Sequence, residues 1–246
     1  MAVLLGKTQN KIRGSKDFDS FSRNLPSDFP VEVSQLLRGA YFFGSNRVDP
    51  LYNFANPELP LLQRGSPRYF NGYVRVNNFG YFDTQIAPGA ETTVIALARL
   101  ADESKTNGFF ISNYGPVASG SNGDAMKIRA ADVAGYMASG TGLKTKFLNL
   151  PTNKFGLEFN SYFVNWKEIG FNFGGYDPVL ENQFIDSMLE PHTPSTKTLL
   201  VGSNQNSTIT SDVDVSCLFI IDGIFTTGDR LRLIQYLYQK YAAGLE

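Results

Sequence analysis

The chain has 246 residues, 42% of them hydrophobic and 13% aromatic, enough to bury a substantial core, which excludes a disordered protein. A formal net charge of −1 gives no overall basis for attraction to nucleic acid or to an anionic membrane surface. The one cysteine, Cys217, excludes an intrachain disulfide framework and a Cys-rich zinc site.

Phe (20) and Tyr (12) far outnumber the single Trp, and Gly is plentiful (23), a mixture that favours strands and turns over helices. No apolar run approaches the ~20 residues of a membrane-spanning helix. Met1-Ala2-Val3-Leu4-Leu5-Gly6 is too short for a signal-peptide core and lacks a basic start. The expectation is a soluble protein made in a reducing compartment, with no membrane insertion.

Residues 1–35 read as an N-terminal arm. Lys7, Lys11, Arg13 and Lys16 precede Asp17-Phe18-Asp19, and Pro26 and Pro30 interrupt any regular element. Acidic neighbours dilute the basic residues, so nucleic acid is discounted as a partner. Phe18, Phe21, Leu25 and Phe29 are too apolar for a free tail and call for a surface, either the chain's own domain or a neighbouring subunit.

Leu36–Gly44 is a short strand candidate, followed by a run with Pro50, Pro57, Pro60 and Pro67 that predicts an extended, packed connection. From Tyr69 the pattern becomes β. Tyr73–Asn77 alternates, Tyr81–Ile86 follows the Gly80 turn, and Thr92–Leu100 is a strong strand with β-branched residues at its start. Asn107-Gly108 predicts a hairpin before Phe109–Tyr114; Ser119–Asp124 reads as an exposed loop, Met126–Arg129 as a short alternating segment, and 130–144 as strand or loop.

In the region Lys154–Phe173, Phe155, Leu157, Phe159 and Phe163 share one parity, with Glu158, Asn160, Tyr162 and Trp166 on the other. Such alternation predicts a sheet with one face on a core and one toward solvent. Gly174-Gly175-Tyr176-Asp177-Pro178 reads as a turn, Leu199–Ser203 as a strand, and Asn206-Ser207-Thr208, a glycosylation acceptor pattern, as surface loop. Next, Val213, Val215 and Cys217 alternate with Asp212, Asp214 and Ser216 before a continuously apolar run ending at Asp222-Gly223. Leu231, Ile234, Leu237, Tyr238 and Tyr241 then define an amphipathic helix, opened by a capping box of Thr226 and Asp229 and stopped near Gly244.

That closing unit, ending in Tyr236-Leu237-Tyr238-Gln239-Lys240-Tyr241, resembles the last strand and helix of the concanavalin A-like lectin/glucanase (laminin-G-like) jelly rolls. The run Tyr81–Ile86, then Thr92-Thr93-Val94-Ile95 and Arg99, is similar to jelly rolls of this type in bacteriophage tail and virion proteins. The resemblance implies an all-β antiparallel two-sheet jelly-roll sandwich over residues 36–246, with a short C-terminal helix and an extended N-terminal arm. It implies a non-enzymatic structural or receptor-engaging component of a phage virion, tail-associated and made in the host cytoplasm. Its partners would be other virion proteins, copies of itself or a cell-surface glycan. The rival readings are a stand-alone carbohydrate-binding module and, third, a glycoside hydrolase.

Little chemistry stands out. His192, the sole histidine, lies between Pro191 and Pro194 without a Gly-x-Ser-x-Gly elbow, and reads as a loop residue without a role. Glu158, Glu168, Asp177 and Glu181 offer carboxylates for glycoside hydrolysis, but the clustered Glu-x-Asp strand of the glucanase branch is missing. Asp212 with Asp214, and Ser121–Asp124, offer oxygens for calcium; a solvated sheet face and ordinary turn chemistry explain them better, so no metal or cofactor is expected. Asn160, Tyr162, Trp166, Tyr176 and Asp177, with Asn165 nearby, combine rings and planar polar groups suited to a sugar. The competing reading is that these rings fill the sandwich or a subunit contact.

Overall fold

The computed structural model describes residues 36–43, 49–102, 108–117, 120–140, 142–152, 155–205, 211–242 and 245. The expected arm with Phe18, Phe21, Leu25 and Phe29, the Asn206-Ser207-Thr208 motif, Asn107 and Gly244 lie outside the described residues.

The chain begins with β1 (Leu37–Phe42), β2 (Leu62–Gly65), β3 (Arg68–Tyr69), β4 (Val74–Val76) and β5 (Gly80–Asp83). Next come β6 (Thr92–Leu100), β7 (Gly108–Ser112), β8 (Gly115–Val117), β9 (Gly120–Asn122), β10 (Ala125–Ile128), β11 (Asp132–Met137) and β12 (Lys144–Asn149). A 3-10 turn at Phe155–Leu157 leads into β13 (Asn160–Trp166), β14 (Ile169–Asp177) and β15 (Asn182–Pro191). β16 (Leu200–Val201) and β17 (Val213–Asp222) precede helix α1 (Thr227–Leu237), which widens into a π-turn at Tyr238–Ala242.

One sheet runs β15-β14-β13-β6-β17-β4-β3, with β1 also on β17; the other runs β12-β11-β10-β7-β16-β5-β2. β8 and β9 form a separate hairpin. Between the sheets lies a core that includes Val94, Ala96, Phe110, Met126, Trp166 and Leu218. The fold is therefore an all-β antiparallel jelly-roll sandwich with a short C-terminal helix. The prolines after β1 all fall between strands: Pro50, Pro57 and Pro60 lie in the connection before β2, and Pro67 separates β2 from β3, so none removes a ladder N–H.

The helix creates a second core. Leu233, Ile234 and Leu237 pack on Ile95, Leu97, Phe163 and Phe219, on the outer face of the first sheet. Each such aliphatic side chain, fully buried, contributes about 1.5–3 kcal/mol. The helix starts at the predicted capping box: the Asp229 N–H donates to Thr226 Oγ1 at 3.2 Å, and that hydroxyl donates to Asp229 Oδ2 at 2.7 Å.

This lid corrects the expectation that one face of the Lys154–Phe173 region meets solvent. All of β13 is buried: Tyr162, Val164 and Trp166 enter the core between the sheets, while Phe163 lies under α1. β17 needs a second correction. A bulge between Val215 and Cys217 inserts one residue and flips the parity. Val213 and Val215 point between the sheets, but Cys217, Phe219 and Ile221 point to the helix, so Cys217 does not share their face.

A third correction concerns Gly174-Gly175-Tyr176-Asp177, which continue β14; the turn follows at 178–181. Gly174 is required by close packing: a Cβ there would lie 1.9 Å from the Phe184 carbonyl oxygen. Residues 132–137, ambiguous in sequence, form β11, and β12 and β15 were not foreseen.

Candidate binding cleft

The five residues expected to bind sugar are all interior. Tyr162 and Trp166 are fully buried, Asn160 and Tyr176 nearly so, and Asp177 is 6% exposed. Trp166 Nε1 donates to the Tyr136 carbonyl at 2.8 Å, Tyr176 packs on Tyr238 with ring centroids 5.2 Å apart, and Asn160 Nδ2 donates to the Tyr176 carbonyl at 2.7 Å. Asp177 Oδ1 accepts the Val179 and Leu180 N–H groups and so caps the hairpin turn. The second sheet covers one side of this segment and the helix the other, so these residues do not form a sugar-facing patch. Their role is in packing.

The surface offers a different site. A cleft of about 280 Å³ opens where the end of β6 meets the segment before β13 and the tail of the helix. Arg99, Glu158, Tyr238 and Gln239 supply its polar groups; Leu157, Phe159, Ala242 and Leu245 supply its apolar wall. The volume falls just below the ~300–1,000 Å³ of drug-sized pockets and suits a single small ring.

Arg99 is held from behind the cleft by cross-strand pairing. Asp214 on β17 lies opposite Arg75 on β4 and Arg99 on β6. Arg75 grips it with two bonds, Nε to Oδ1 at 2.6 Å and Nη2 to Oδ2 at 2.9 Å, and Arg99 Nε adds a third at 3.0 Å. Asp214 has no exposed surface. The expected solvated face is thus a buried ion triad, and the bond to Asp214 is the main reason the Arg75 pKa is raised. Asp212 is likewise held, by Arg68 and Asn77, each at 2.6 Å.

Aromatic rings frame the triad. The Arg99 guanidinium lies 4.5 Å from the Phe159 ring centroid and 5.4 Å from that of Tyr73. Arg75 lies 5.2 Å from the Phe70 centroid, and Phe70 stacks on Tyr73 at 4.8 Å. Such cation–π contacts fix the guanidinium planes. The Glu158 carboxylate is felt across the cleft: the Tyr238 pKa is raised, first by burial and then by that charge.

Sequence reading placed Glu158 among the loose carboxylates and Arg99 only within a resemblance. A detectable signal existed, an arginine ending the apolar outer row of a buried strand and an aspartate inside another. Their register came from neither pattern.

His192 is better placed than its loop suggested. Its ring and Asp124 are both without exposed side-chain surface. Nδ1 lies 3.2 Å from the Ala90 carbonyl and Nε2 lies 3.0 Å from Asp124 Oδ1, which also accepts the Ala138 N–H at 2.9 Å. A carbonyl and an ionised carboxylate can only accept, so the pattern favours a ring protonated on both nitrogens. Burial opposes that charge, but the bonds to Asp124 and Ala90 outweigh it and the pKa is raised. With both nitrogens engaged, the ring has none to offer a nucleophile.

Among the described residues, no group of three or more His, Cys, Asp or Glu is placed to hold a metal ion. No helix among them is long and apolar enough to cross a membrane.

No family model matches the chain, and no curated protein is detectably similar in sequence. Solved structures share the fold. The botulinum neurotoxin serotype D binding domain aligns with a TM-score of 0.61 at 8% identity, covering 83% of this chain and 52% of that one. The binding domain of Paraclostridial Mosquitocidal Protein 1 gives 0.63 at 8%, covering 85% and 53%. The serotype D ligand binding domain in complex with N-acetylneuraminic acid gives 0.61 at 8%, covering 83% and 52%. At such identity the likeness is one of fold. The chain spans about half the length of each of these structures.

Proposed function

We propose that the chain is a non-catalytic, receptor-engaging, lectin-like sandwich that uses the Arg99–Glu158–Tyr238 cleft to hold a glycan on a cell surface. The observation that carries this reading is the lining of the cleft, an apolar wall facing planar hydrogen-bonding groups. Sugars have apolar C–H faces and hydroxyl edges and match such a surface. Structural neighbours described as receptor- or ligand-binding domains support the same direction. The lining holds one carboxylate, Glu158, where glycoside hydrolysis uses two.

The finer proposal is a phage virion component, tail-associated, that contacts other virion proteins or copies of itself through Phe18, Phe21, Leu25 and Phe29. It rests on the sequence resemblance and the apolar arm. Deleting residues 1–35 should then abolish a specific oligomer or partner contact, and unchanged assembly would refute it.

A glycan array with the wild-type chain and Gln239→Ala tests the main reading. Binding by the wild type, weakened at least tenfold in the folded variant, is the expected result. Absence of all glycan binding, or equal binding by both proteins, would overturn it.

A further inference from the structure

We infer that the cleft selects a neutral sugar residue and discriminates against one bearing a carboxylate or sulfate; this rests on the glycan reading above. The argument is a charge count around fixed groups. Arg75 and Arg99 bring two positive charges, and the fully buried Asp214 between them removes one. Glu158, exposed at the lining, removes the other. Arg99 on the lining, with the Arg75–Asp214 pair behind it and Glu158 beside it, therefore leaves no net positive charge to reward an anion.

Hydrogen-bond chemistry points the same way. Arg99 lines the cleft and commits Nε to Asp214, so any guanidinium donation to a ligand falls to its Nη groups. Glu158 is an acceptor when ionised, and the Gln239 amide and Tyr238 hydroxyl both donate and accept. A sugar hydroxyl can donate to Glu158 and accept from Arg99 at once. A ligand carboxylate or sulfate can only accept, so beside Glu158 it meets a like charge and no proton. The wall of Leu157, Phe159, Ala242 and Leu245 takes the C–H face of the ring. A neutral ring satisfies every side of the cleft.

The test is an array of matched glycan pairs, each neutral oligosaccharide beside its sialylated or sulfated counterpart, probed with the full wild-type chain, Glu158→Gln and Gln239→Ala. Thermal unfolding checks that each protein is folded. The expected result is at least tenfold weaker binding of the charged member when the charge sits on the terminal residue. Glu158→Gln should shrink that difference several-fold, and raised salt should shrink it in the wild type. Preference for the charged member, or discrimination unchanged in Glu158→Gln, would overturn the inference while leaving the glycan reading standing. Glycan binding untouched by either substitution would move the site away from the cleft. No binding of either member by the folded wild type would overturn both.

Discussion

Trp166 Nε1 on β13 donates to the Tyr136 carbonyl on β11 at 2.8 Å, a side-chain hydrogen bond from one sheet to the backbone of the other. Trp166 is fully buried, so its truncation is a stability experiment and not a binding one. Trp166→Ala should cost about 3–5 kcal/mol. Trp166→Phe keeps a ring and loses the bond, which adds about 0.5–1.5 kcal/mol to the cost of the smaller side chain. Urea denaturation measures both; a Trp166→Ala protein as stable as the wild type would refute the placement.

Asp214 is a buried acceptor shared by Arg75 and Arg99. Asp214→Asn leaves two guanidinium groups beside a neutral amide and should destabilise by about 3–5 kcal/mol. Denaturant melts at low and high salt check this. A loss that vanishes at moderate salt would mark the triad as a surface feature, contrary to its burial.

His192 gives a pH dependence with a definite sign. Its folded pKa is raised above the ordinary ~6.5 by Asp124 and Ala90 against the opposing effect of burial. The stabilisation is fully present below the unfolded pKa and disappears as pH rises through the folded one. As the chain has one histidine, a single imidazole NMR titration reads the value directly, and it should lie above ~6.5. Asp124→Asn should lower it and flatten the difference in melting temperature between pH 5.5 and 8.5 relative to the wild type.

Cys217 is buried beneath the helix, and burial pushes its thiol pKa up to about 12. The native chain should leave a thiol reagent unreacted at pH 8, with one equivalent released in guanidinium. Fast reaction of the folded protein would contradict a seated α1.

The strands that announced themselves were those whose alternation coincided with strong burial. Thr92–Leu100 and the Asn160–Trp166 run were legible because each holds an unbroken apolar or aromatic stretch, Val94–Ala98 in the first and Tyr162–Val164 in the second. β15 was not, because each of its two rows mixes types: Phe184, Asp186, Met188 and Glu190 on one, Ile185, Ser187 and Leu189 on the other. An edge strand can do this, since Asp186 and Glu190 reach across to Lys146 and Lys144 of β12. The helix was legible in its cap and spacing, but not the surface it would cover; that coverage withdrew Tyr176 from solvent, while the second sheet withdrew Tyr162 and Trp166. The cleft was hidden for a related reason: Arg99, Glu158 and Gln239 come from three distant segments.

β17 is the strand to which β1 pairs, and it is also the partner of β6 along its whole length. At ~5–20 residues per second, a ribosome takes roughly 6–23 s to travel from the end of β6 at Leu100 to the start of β17 at Val213. Throughout that interval the nascent polypeptide displays a largely apolar β6 edge that lacks its β17 partner. Shielding by a chaperone, or slow expression at low temperature, should therefore govern how much of the product escapes inclusion bodies.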